Sequence, residues 1–123
     1  MTAALRIEIF PDDLDEAVDF YTRVLGFALT RDERLEESAY VALQLGDVLV
    51  GAARRAPVDV AARRPPTGVE LVLEVDDLDG ARRRVLEAAW PIDEDLQERP
   101  WGLRDFRLVD PCGHYWRLTE HSG

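Results

Sequence analysis

No lysine and no asparagine occur among the 123 residues, and cysteine, methionine and histidine are nearly as scarce, with one, one and two copies. Each scarcity removes a class of chemistry. Without an ε-amine there is neither a Schiff base to a carbonyl nor a P-loop lysine for a triphosphate. The single thiol, Cys112, leaves no internal disulfide, which suits a reducing cytoplasm. Serine is no better placed for nucleophilic work. Ser38 stands in no strand-turn-helix elbow and Ser122 lies in the tail, so a Ser-His-Asp triad has nothing to stand on. Long apolar runs are missing too. Met1 to Phe10 turns polar within a few residues, so neither a signal peptide nor a membrane span is expected.

What is present is charge, unevenly. The 15 basic residues are all arginine and face 25 acidic ones, a net charge of −10. A surface of that sign repels polyanions, so nucleic acid is not an expected partner, whereas cationic or neutral small molecules are. The length suits one domain that buries roughly two thirds of its unfolded surface without disulfide or structural metal.

The chain repeats itself. Pro11-Asp12-Asp13-Leu14-Asp15-Glu16-Ala17 is echoed 64 residues later by Val75-Asp76-Asp77-Leu78-Asp79-Gly80-Ala81. Each copy follows an alternating stretch, Leu5 to Phe10 or Val69 to Val75, and each opens a helical stripe. Leu14, Ala17, Val18, Tyr21, Val24 and Leu25 form the first, with Asp12 or Asp13 as N-cap and Gly26 as stop. Leu78, Ala81, Val85, Ala88 and Ala89 form the second, which leaves Arg82-Arg83-Arg84 largely solvated. Strands are expected over 27–32, 38–45 and 48–52, then 92–98, 103–109 and 114–119. Both halves therefore read β-α-β-β-β, as modules 4–53 and 68–120 joined by a proline-bearing linker, 54–67. Gly46 and Gly113, each before a last strand, differ by 67.

Strand alternation sorts the faces. Leu5, Ile7 and Ile9 belong under the helix, with Arg6, Glu8 and Phe10 opposite. Ala39, Val41 and Leu43 take the helix side, and Tyr40, Ala42 and Gln44 the open side. In the second half Val69, Leu71, Leu73, Trp116 and Leu118 read as core, whereas Glu70, Val72, Glu74, Tyr115, Arg117 and Thr119 point the other way. Asp105 and Arg107 share that open space.

The run Leu14-Asp15-Glu16-Ala17-Val18-Asp19-Phe20-Tyr21 into Val24-Leu25-Gly26-Phe27, with Arg104-Asp105-Phe106 and Asp110-Pro111-Cys112-Gly113-His114, resembles the vicinal oxygen chelate superfamily over nearly the whole chain. That superfamily includes glyoxalase I, extradiol dioxygenases, fosfomycin-inactivating transferases and bleomycin-resistance proteins. The resemblance implies an α+β fold of paired βαβββ modules, forming a cup-shaped mixed sheet with helices outside, and a homodimer. It also implies metal-ligand positions at Arg6, at Val50 or its neighbour Gly51, at Glu70 and at Arg117. Arginine carries no free lone pair, so only Glu70 is competent there. Glu8 and Thr119 are set aside as reachable only by a register slip that would turn the apolar sets outward. Arg6 or Arg117 is instead placed to pair with Glu70, a contact whose loss costs about 3–5 kcal/mol if buried.

His114 reads as a satisfied turn residue rather than a base, His121 as a solvated tail residue, and Cys112 as non-catalytic. Trp90 reads as core or interface. Trp101, between Pro100 and Gly102, lies in a stretch similar to one that lines the drug groove of bleomycin-resistance proteins, and suits stacking on a flat or cationic ligand. The expectation is a cytoplasmic, metal-free, cofactor-free binding protein acting by sequestration on a small, cationic or aromatic molecule. Its ligand-binding residues are Arg6, Tyr40, Glu70, Trp101, Asp105, Arg107, Tyr115 and Arg117. The alternatives are a metal-dependent enzyme with atypical ligands and a domain serving assembly alone.

Overall fold

Two four-stranded mixed sheets carry the computed structural model, which describes residues 5–54 and 70–121. The expected linker beyond Arg54, together with Ala4, Gly68, Val69 and Ser122, lies outside the described residues. The chain divides into two compact units, Met1–Val58 and Asp59–Gly123.

The first unit runs β1 (Arg6–Ile9), α1 (Leu14–Asp19), β2 (Ala28–Glu33), β3 (Tyr40–Leu45) and β4 (Val48–Ala53). The second runs β5 (Leu71–Val75), α2 (Leu78–Glu87), β6 (Glu94–Glu98), β7 (Arg104–Val109) and β8 (Tyr115–Glu120). Their strand orders are β1-β4-β3-β2 and β5-β8-β7-β6, with the first two strands of each order parallel and the others antiparallel. The repeat read from the sequence is therefore a repeat of topology.

Both helices begin on the second aspartate of the repeated motif. Asp13 accepts from Glu16 N at 3.0 Å and Asp77 from Gly80 N at 2.9 Å, each satisfying a donor the first turn leaves orphaned. The first helix does not run on in α form to Gly26 as the stripe predicts. It widens into a π-helical turn over Phe20–Val24, where Leu25 N donates to Phe20 O at 3.2 Å. That turn keeps Phe20, Tyr21 and Val24 all buried, and Gly26 then closes it at φ 87°. The second helix closes differently. Ala89 N donates to Leu86 O at 3.0 Å and Trp90 N to Val85 O at 3.2 Å, a Schellman ending with Ala89 at φ 56° where glycine is usual.

Strand alternation sorts the first unit's core as expected at Ile9, Val41 and Leu43. Two expected core residues depart from it. Leu5 precedes β1 and is 78% exposed, and Ala39 sits at φ 46° in the turn before β3 rather than in a strand. In the second unit Leu73, Trp116 and Leu118 are buried as expected. Tyr115 and Thr119, on the opposite face of β8, are buried as well, so that face is not an open surface throughout.

Candidate functional site

Each unit presents a cluster of polar and aromatic side chains on the sheet face away from its core. In the first unit Val50 pairs with Ile7 and Leu43, and Gly51 with Glu8 and Ala42. Val50 therefore belongs to the core face and Gly51 to the polar one, which settles the pair of positions left open above. In the second unit Leu71 pairs with Trp116 and Val72 with Arg117. The last strands are thus offset by 66 residues, one fewer than the glycines suggest, so Gly51 and not Val50 is the counterpart of Arg117.

Gly51 is where the first site is built. A Cβ there would lie 2.2 Å from both Glu8 Oε2 and Tyr40 Oη, so those groups occupy the space a side chain would take. Tyr40 donates its hydroxyl to Glu8 Oε1 at 3.1 Å, and Arg6 Nε pairs with the same oxygen at 2.7 Å. Arg6 therefore pairs within its own strand through Glu8. Burial, then the Glu8 hydrogen bond and charge, raise the Tyr40 hydroxyl above the usual phenol range. Arg31 lies 5.4 Å over the Tyr40 ring and pairs with Glu33 at 2.9 Å, while Ser38 donates to Glu33 at 3.1 Å. A groove of about 560 Å³ runs along these residues and Phe10, a residue 43% exposed. Of this set the expectations held Arg6 and Tyr40 and missed Glu8, Arg31, Glu33 and Ser38. Glu8 needs no register slip, because it stands two residues from Arg6 on the same face.

The second cluster gathers Glu70, Asp105, Arg107, Tyr115 and Arg117. Asp105 faces no open space, being 1% exposed and paired with Arg99 at 2.9 Å. Arg99 also holds Glu94 at 2.5 Å. Glu70 sits 3.3 Å from Arg117 Nε and 3.9 Å from Arg107 Nε, which makes Arg117 its nearer cation. Tyr115 donates to Asp93, and burial followed by that bond pushes its hydroxyl up to about 12. Trp101 stands 59% exposed at the tip of the β6–β7 turn, held by Gly102 N donating to Arg99 O at 2.9 Å.

The remaining candidates fall to structure. Asp110, Cys112 and His114 bring three metal-competent atoms within 4.8 Å of one another. Asp110 Oδ1 already accepts from Cys112 N at 2.9 Å and His114 N at 2.7 Å, and Oδ2 meets His114 Nδ1 at 2.8 Å. That carboxylate builds the turn into β8, in keeping with the reading of His114. His121 is exposed and lies 2.8 Å from Asp76 and 3.3 Å from Glu74. Trp90 is half-buried and donates to Val109 O at 2.8 Å.

The fold is the α+β, bleomycin-resistance-like fold of two four-stranded mixed sheets. The chain belongs to the Glyoxalase/Bleomycin resistance protein/Dioxygenase superfamily, whose profile matches residues 4–118. It is similar to TioX from Micromonospora sp. ML1, at 30% identity and TM-score 0.80, over 98% of this chain and 99% of that one. A bleomycin resistance determinant encoded on transposon Tn5 shares the fold at 23% identity and TM-score 0.79, over 99% and 100% of the two chains. So does a bleomycin-binding protein complexed with bleomycin, at 23% and 0.74, over 99% of each. An uncharacterised protein of Mycobacterium bovis is 28% identical over 95% of this chain and 82% of its own length.

The metal that the family resemblance implies does not fit the positions it would use in either unit. In the first, Arg6 offers only donors and Gly51 no side chain; in the second, Arg117 offers only donors and Glu70 is directed at two guanidinium groups.

Proposed function

We propose that the protein binds a small cationic, partly aromatic molecule and holds it without turnover, as a metal-free homodimer in the cytoplasm. The observation carrying this reading is the first unit's groove, where the Tyr40 ring already receives a cation, Arg31, beside the Glu8 and Glu33 carboxylates. A ligand cation displacing Arg31 would meet the same ring and a freed Glu33, and Phe10 would add apolar area. The relative complexed with bleomycin supports the ligand class. Family membership leaves the chemistry open, because one fold hosts many functions. Trp101, exposed at the tip of the β6–β7 turn, extends the same reading to the second unit.

Titration of the purified protein with bleomycin and with a panel of aromatic cations tests it, read by thermal shift and tryptophan fluorescence. The expected result is a saturable rise in Tm. Tyr40→Leu and Glu8→Gln should weaken binding about tenfold each, in line with ~1–2 kcal/mol for a desolvated cation–π or charged hydrogen-bond contact. No saturation by any aromatic cation would leave assembly as the better reading. Stoichiometric divalent metal in the purified protein would favour an enzyme.

A further inference from the structure

A bulge in β2 turns two charged side chains into the first unit's groove. Leu29 stands opposite Leu43 of the core face, whereas Arg31, two residues on, stands opposite Ala42 of the other face, because the register shifts between them. An unbroken strand would keep Arg31 on the face of Leu29. Bulges gather next to functional sites because they re-aim side chains in this way. Glu33 follows on the same face, directly opposite Tyr40.

Arg31 occupies a receptor that other groups hold in place. Its guanidinium lies 5.4 Å from the centre of the Tyr40 ring and forks onto Glu33, Nε to Oε2 at 2.9 Å and Nη2 to Oε1 at 3.1 Å. Ser38 donates to Glu33 Oε1 at 3.1 Å and Tyr40 to Glu8 Oε1 at 3.1 Å, so carboxylate and ring keep an anchor when the guanidinium leaves. The Arg31 side chain is 61% exposed, against 22% for Glu33. An ion pair whose cation is so open to water is weak, and that cation is replaceable. Exchange leaves no charge uncompensated, because Glu33 stays paired with the newcomer and Arg31 passes into water.

We infer that the Tyr40–Glu33 receptor selects a ligand with a planar guanidinium or amidinium head, and that Arg31 is its resident competitor. The inference rests on the proposed binding of an aromatic cation and narrows the class of cation. A flat fork of parallel N–H donors meets both oxygens of Glu33 while its face meets the Tyr40 ring, the two contacts Arg31 makes now. An ammonium is a compact, strongly hydrated point charge and does not match that two-point contact. Phe10, on the same groove, offers apolar area to the aromatic part of the ligand. Every ligand must displace Arg31, which therefore lowers affinity while keeping the carboxylate paired in the empty groove.

The test compares benzylguanidine with benzylamine, which share a ring and differ in the head, by calorimetric titration of the wild-type protein, Arg31→Gln and Glu33→Gln. Benzylguanidine should bind the wild type about tenfold more tightly, the equivalent of one charged hydrogen bond. Arg31→Gln should tighten it about threefold to fivefold further, the range an exposed ion pair spans. Glu33→Gln should erase the preference between the two heads. As benzylguanidine saturates the wild type, the Arg31 Nε–H NMR signal should shift in step with occupancy, which locates the binding. Benzylamine binding equally well, Arg31→Gln binding benzylguanidine no more tightly, an Arg31 signal that does not move, or no saturation by either ligand would each overturn the inference. The wild-type comparison decides even if a variant fails to fold. The proposed function is judged separately, because it stands if benzylamine or bleomycin saturates and fails if no aromatic cation does.

Discussion

A methyl group on Gly51 would land 2.2 Å from both the Glu8 carboxylate and the Tyr40 hydroxyl, so Gly51→Ala must push those groups apart. The expected result is a loss of about 1–3 kcal/mol in urea unfolding, typical of overpacking, with the Tyr40 phenol moving back toward its ordinary value. Unchanged stability together with an unchanged Tyr40 titration would show that the two groups do not meet there. Tyr115 makes the complementary test at high pH. Its folded pKa of about 12 lies above the ordinary phenol value of 10.0, so this group's contribution is fully present below pH 10 and is lost as pH rises toward 12. Ultraviolet titration should show a late phenolate step that Tyr115→Phe removes and Asp93→Asn moves down, though not fully, since burial is the larger cause. Individual site residues were legible unevenly. Tyr40 and Arg6 follow from strand parity, and the same parity contained Glu8. Arg31 and Glu33 come from β2, whose register shifts between Leu29 and Arg31, and no alternation rule anticipates a bulge. Arg99 lies beyond the end of β6 and reaches Asp105 through a turn, a contact that periodicity does not encode.

Helix endings show what a local pattern carries and what it omits. The first N-cap was readable to Asp12 or Asp13, because an aspartate before a leucine-led stripe has one good use, to accept from the first turn, and Asp77 repeats Asp13 in the second helix. The π-helical turn was not, since Phe20, Tyr21 and Val24 suit an α stripe equally well and only packing selects the wider form. The ending of α2 gives a clear expectation. Ala89 carries its Cβ at φ 56° in a Schellman position, where a left-handed backbone costs an L-residue roughly 1–2 kcal/mol and glycine nothing. Glycine gives back part of that gain through its freer unfolded chain, so Ala89→Gly should stabilise by about 0.5–1 kcal/mol in urea unfolding. A destabilised variant would mean that the Ala89 methyl makes contacts worth more than its strain. At this scale the order and type of all eight strands were legible from alternation and turn residues. Their ends moved by a residue or two where a turn, as at Ala39, claimed a position the alternation had given to a strand.

Over the whole molecule, the excess of 25 acidic over 15 basic side chains sets two effects against each other as pH falls. From neutrality down to the isoelectric point near 4.6, the net charge of −10 relaxes and self-repulsion with it, which favours the folded state. Many of the arginines, however, hold carboxylates below their ordinary range. Arg23 does so at Asp19, Arg34 at Asp32, Arg31 at Glu33, and Arg104 at both Asp79 and Glu120. Asp95, bonded first by Arg82 and then by Leu96 N, falls to about 2. A carboxyl depressed in the folded state contributes stability above its unfolded pKa near 4, and that contribution is lost as pH drops toward 2. These pairs are largely exposed, so each is weak and only their sum is felt. The urea midpoint should therefore rise or stay level from pH 7 to about 5 and fall below pH 4. Added salt at pH 7 should raise it, because repulsion spread over the molecule is screened at about 10 Å while pairs near 3 Å are screened less. A midpoint that climbs without a break down to pH 3 would show that net repulsion, and not the arginine pairing, governs the acid limb.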